Sequence, residues 1–143
     1  MATPHTPRAI TIIVMAAIAI SSVFLILNGL YMLIDPRSWY DAIPGVVETG
    51  FYNPHFVRDI GIVQLFLGLA FAAGLRLPGP RLALWSGATT WLVAHALFHF
   101  WEVATGICAP AALLRDFAAV TLPALIGISA SLWAWRNRAY VSR

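Results

Sequence analysis

From position 10 to position 34 the chain runs 25 residues without a charged side chain, beginning Ile-Thr-Ile-Ile-Val and ending Tyr-Met-Leu-Ile. At a rise of about 1.5 Å per residue, such a stretch covers a hydrocarbon layer of roughly 30 Å as a helix. It is too long for the apolar region of a secretory signal, about 7–15 residues, so a retained first helix is expected. Comparable stretches follow at about 56–75, 82–105 and 112–135. In a chain of 143 residues that is 60% hydrophobic and 10% charged, they leave no room for a separate soluble domain. The expectation is one all-α domain over 1–143, an integral membrane four-helix bundle in contact with the lipid bilayer.

Charge supplies an orientation. The nine arginines are scattered singly, with no basic run able to track a phosphate backbone, so nucleic acid is not an expected partner. Arg8, Arg76, Arg81, Arg136, Arg138 and Arg143 flank one side of the expected membrane; Arg37, Arg58 and Arg115 flank the other. The richer side is expected to be cytoplasmic, placing both termini inside and the bundle in a cell inner membrane. Cys108 is the only cysteine, so no internal disulfide or thiolate cluster forms.

The segment 35–55 is expected as an external loop. It carries Pro36, Pro44, Gly45, Gly50 and Pro54 as breakers, and Trp39, Tyr40, Phe51 and Tyr52 as interfacial aromatics. It should lie on the membrane or fold over the bundle mouth. Small residues (Ala17 and Ser21; Gly61, Gly68 and Ala72; Gly127 and Ser131) recur at spacings that allow close helix contact. That contact serves the bundle, or a homo-oligomer. Trp91 and Trp101 read as packing or interface anchors.

Ionisable side chains within spans are costly and mark functional candidates. His95, His99 and Glu102 share one helix face at i, i+4 and i+7. Arg58-Asp59 and Arg115-Asp116 open the two inward-running helices at similar depth. His55 and Asn53 sit just above them, and Asn28 and Gln64 lie deeper. The candidate site is therefore an outer polar layer of His55, Arg58, Asp59, His95, His99, Glu102, Arg115 and Asp116.

Three readings of that layer stand open. It is a self-compensating ion-pair network, with Asp59 paired to Arg58 or Arg115. It is a transition-metal or haem site on His95, His99 and Glu102, completed by His55 or Asp59, making the protein a membrane oxidoreductase. Or it is a pocket for an anionic or quinone-like head group, with the two arginines as donors and a histidine exchanging protons. The string His95-Ala-Leu-Phe-His99 lacks the glutamate of the zinc-protease motif. A transmembrane transport path is disfavoured, because the inner halves of the helices carry no ionisable relay.

An internal echo links Phe56-Val-Arg-Asp-Ile-Gly with Leu113-Leu-Arg-Asp-Phe-Ala, as two helical hairpins in parallel repeat would produce. The residues Trp39-Tyr40, Pro44-Gly45-Val46, Thr49-Gly50, Asn53-Pro-His55-Phe-Val-Arg58-Asp59-Ile-Gly61 and His95-Ala-Leu-Phe-His99 resemble those of a group of small bacterial four-helix membrane proteins. More loosely, the layout is similar to that of DoxX-like membrane proteins, some of which partner quinone-linked sulfur oxidation. The resemblance implies a four-helix membrane fold and a membrane-complex partner in redox chemistry. It supplies no catalytic motif. A small membrane subunit or binding module is the leading expectation.

Overall fold

A computed structural model describes residues 7–137; the terminal arginines Arg138 and Arg143 lie outside the described residues. The described chain is helical, with no strand. The helices are α1 (Arg8–Ile34), α2 (Pro36–Ala42), α3 (Pro54–Arg76), α4 (Arg81–Ala104) and α5 (Ala111–Asn137).

Local chemistry fixes these boundaries. Pro36 bars Asp35 from helical geometry, and Asp35 adopts φ −135° and ψ 71°. Its carboxylate then accepts from the Ser38 amide at 3.1 Å, capping α2. The region 35–55, expected as a loop, thus contains a short helix and a 3-10 turn at Val46–Glu48. Asn53 accepts from the amides of His55 and Phe56 at 3.1 and 3.2 Å. With Pro54 in the first helical position, this starts α3 two residues before the apolar run does.

Helices α1, α3 and α5 are each long and apolar enough to cross a membrane. The fourth expected span, α4, matches them in length at 24 residues but falls short in hydropathy. His95, His99, Ser86, Thr89 and Thr90 lower it.

Helix α1 packs along α3, α3 along α4, α4 along α5, and α5 back along α1. The α1–α3 contact is the most extensive, and glycine makes it possible. A β-carbon at Gly29 would lie 2.7 Å from the Gly61 carbonyl oxygen, and one at Gly68 would lie 2.9 Å from that of Ser22. The Ser22 hydroxyl donates to the Gly68 carbonyl at 2.8 Å across the same seam. Between α4 and α5, Gly127 lies against the Thr89 side chain, and the Thr89 and Ser131 hydroxyls are 3.3 Å apart. The expected close contacts at Gly61, Gly68, Gly127 and Ser131 therefore lie within the fold.

At the end where α3 turns into α4, Trp85 is fully buried against Gly74 and donates to the Phe71 carbonyl at 3.1 Å. Arg81 donates to the Gly74 and Leu75 carbonyls at 2.6 and 3.2 Å, satisfying the last turn of α3. Its guanidinium lies 5.4 Å from the Trp85 ring and 5.8 Å from that of Trp133, joining α5 to the same cluster.

Helix α5 is not uniform. Phe117–Thr121 form a π-helical turn, closed by Leu122 N–H donating to the Phe117 carbonyl. Pro123 explains it: proline has no N–H for the Ala119 carbonyl, and in an unbroken α-helix its ring would collide with that group.

Candidate functional site

The opposite end gathers the C-termini of α1 and α4, the N-termini of α3 and α5, and the 35–53 connection. Polar side chains there form three groups instead of one layer.

The first ties α2 to the long helices. Trp39 Nε1 donates to Asn28 Oδ1 at 2.9 Å, and Asn28 Nδ2 donates to Gln64 Oε1 at 2.7 Å. Each of the two deeper polar residues of α1 and α3 therefore has a partner, as part-buried amides require.

The second group lies on α3. His55 Nε2 is 3.2 Å from Asp59 Oδ2, both well exposed at 86% and 55%. Arg58 is exposed and donates to the Leu33 carbonyl at 3.3 Å, finishing the end of α1. Asp59 thus pairs with His55, and neither Arg58 nor Arg115 is its partner.

The third group joins the connection to α5 and α4. Arg115 Nε and Nη2 donate to the two Asp116 carboxylate oxygens at 2.8 and 3.3 Å, and Nη1 donates to Glu48 at 3.0 Å. Asp116 Oδ2 also lies 3.5 Å from His99 Nδ1. That is long for a hydrogen bond but close enough for an ion pair when His99 is protonated. The His99 ring meets the His95 ring edge-on at a centroid distance of 4.8 Å, and His95 stacks on Trp91 at 4.9 Å. A continuous row thus runs from the connection into α4: Glu48, Arg115, Asp116, His99, His95, Trp91.

Gly45 holds the row's outer end. Its φ of +85° turns the chain, and a β-carbon there would fall on the Arg115 guanidinium. The connection therefore packs against the start of α5.

Of the eight expected site residues, Arg115, Asp116, His99 and His95 come together, while His55, Arg58 and Asp59 form the separate surface group. The Glu102 carboxylate joins no ion pair among the described residues, although its backbone carbonyl accepts from the Ile107 and Cys108 amides. Among the described residues, no three His, Cys, Asp or Glu side chains converge as metal ligands. His95 and His99 also project from one helix face, so they cannot supply the two opposed axial ligands of a single haem. Glu48 and Gly45 were not candidates in the sequence. The Glu48–Arg115 pair spans 67 residues, and only the Pro44-Gly45 turn signal bears on it. Trp91, read as a packing or interface anchor, stacks on His95.

Comparison with known proteins finds no matching family, no matching curated protein and no matching solved structure.

Proposed function

We propose that the chain is an integral membrane four-helix bundle of two helical hairpins. In this reading it is a small subunit or binding module of a bacterial inner membrane, and binds a small polar or quinone-like ligand beside His95 and His99. The observation that carries the reading is the half-buried row Trp91–His95–His99–Asp116 on α4 and α5. Ionisable groups at membrane depth are costly and are retained where they serve a ligand or proton path. The neutral imidazole offers one donor and one acceptor, which suits the oxygen atoms of a quinone or a small polar head group.

Three apolar spans support membrane insertion, and the length of α4 together with its packing between α3 and α5 supports a fourth crossing. The arginine distribution supports cytoplasmic termini and an outward-facing site. The DoxX-like layout adds a redox direction, with a membrane-complex partner or a second copy as the neighbour.

Titration of detergent-purified protein with decylubiquinone, followed by tryptophan fluorescence, tests this. Saturable quenching that disappears in His95→Ala/His99→Ala, at unchanged thermal stability, is expected. Linear, partition-like quenching of equal slope in both proteins overturns it. An absorption spectrum and metal analysis of the same samples address the oxidoreductase alternative. A Soret band or near-stoichiometric metal lost in the double variant would replace the organic ligand with a metal or haem.

A further inference from the structure

Arg115 has five N–H donors, and Asp116 and Glu48 accept from three of them. The two carboxylates hold it unequally. Asp116 is 18% exposed and takes two bonds, on the Nε and Nη2 edge, whereas Glu48 is 71% exposed and takes one. Exposed ion pairs are weak and screened by solvent, so the Glu48 arm is readily exchanged. Behind the guanidinium lies the backbone of Gly45, with no side chain between them. The group is thus braced by Gly45 and Asp116, and Nη1, which meets Glu48, and Nη2 each have a donor left over.

We infer that Arg115 is an oxyanion receptor whose place Glu48 holds, and that a carboxylate- or phosphate-bearing ligand binds by displacing Glu48. The exchange replaces one negative charge with another, so the balance against Asp116 is kept. A two-oxygen acceptor gains what Glu48 does not use, parallel bonds to Nη1 and Nη2. Displacement frees the Val46–Glu48 turn from Arg115, so binding there loosens the tie between the connection and the start of α5. This deepens the ligand-binding reading by giving the ligand an anionic group, and rests on it.

The test labels a single cysteine, Val47→Cys in a Cys108→Ser background, with an environment-sensitive fluorophore. Val47 is half exposed and adjoins Glu48. One arm titrates inorganic phosphate in neutral detergent against potassium chloride of equal ionic strength. The other compares nanodiscs of phosphatidylcholine with nanodiscs containing one-fifth phosphatidylglycerol. A saturable phosphate response, tightened at least fivefold by Glu48→Gln and lost in Arg115→Gln, supports a free oxyanion ligand. A response confined to phosphatidylglycerol, with the same dependence on Glu48, supports a lipid head group. No saturable response, one reproduced by chloride, or one unchanged by Glu48→Gln overturns the inference. Glu48→Gln alters an exposed side chain and keeps the test decisive if Arg115→Gln fails to fold. Decylubiquinone quenching that persists while the label stays silent would remove the oxyanion receptor and leave the histidine site standing.

Discussion

His99 Nδ1 and Asp116 Oδ2 face each other at 3.5 Å across the α4–α5 seam, and Asp116 is at the same time the main partner of Arg115. The two residues should therefore respond differently to substitution. Asp116→Asn removes the charged acceptor of two Arg115 donors and is expected to cost up to about 1 kcal/mol. His99→Ala is expected to leave the unfolding temperature near wild type and to abolish ligand binding. Thermal unfolding of the two variants in detergent separates these outcomes. An equal loss in both would make His99 a structural residue.

Gly68→Ala should be among the most damaging small substitutions. The added methyl would lie 2.7 Å from Ile26 Cγ1 and 2.9 Å from the Ser22 carbonyl, forcing α1 and α3 apart. Overpacking of this kind costs about 1–3 kcal/mol. Gly87→Ala, where a β-carbon meets nothing within 4 Å, is the control and should be neutral or slightly stabilising. Equal unfolding temperatures for the pair would contradict the close α1–α3 seam.

Asp59→Ala should shift stability by less than about 1 kcal/mol, because its partner His55 is exposed. The sequence pattern alone suggests an arginine partner, Arg58 or Arg115, in place of His55. A fall of several kcal/mol would show that Asp59 has a second, buried role.

Trp39→Phe keeps the aromatic ring of α2 and deletes the donor to Asn28 Oδ1. A loss of about 0.5–1.5 kcal/mol is expected, the range of one hydrogen bond. Asn28→Leu should cost more, because it strands both Trp39 Nε1 and Gln64 Oε1. If Asn28→Leu proves the milder change, the three side chains do not act as a chain.

The Ser38 hydroxyl and amide hold the Asp35 carboxyl below its ordinary value of 3.8. A carboxylate lowered in the folded state stabilises above its unfolded pKa and loses that contribution as pH falls through the folded value. Wild type and Asp35→Ala should therefore differ in unfolding temperature above about pH 4 and converge as pH falls below it. Parallel curves down to pH 2 would remove the carboxylate's ionisation from the cap.

Where the sequence was legible, the signals were local. The end of α1 follows from Asp35-Pro36, and the Gly61, Gly68 and Gly127 contacts follow from spacing along single helices, whereas the apolar run alone starts α3 two residues late, past its Asn53-Pro54 cap. The polar end was legible only as a list of residues. Equal depth placed the two Arg-Asp pairs in one layer, but depth does not fix azimuth. Arg58 turned to the end of α1 and Arg115 to the folded connection, which separated them. Nothing local to Glu48 marks it as the partner of a residue on α5. That pairing is made by the Gly45 turn, whose direction depends on how α2 docks through Trp39.

The π-helical turn has a mechanical meaning for this end of the molecule. One residue more than an α-helical turn requires is inserted between Asp116 and Leu122, so the two parts of α5 are out of phase by about 100°. The azimuth at which Arg115 and Asp116 meet Glu48 and His99 is therefore set separately from the azimuth at which Gly127 and Ser131 meet α4. Loss of a single residue from Phe117–Thr121 would swing the polar pair around the helix axis while the lower seam kept its register. The turn works as a vernier between the α4–α5 seam and the polar pair at the start of α5.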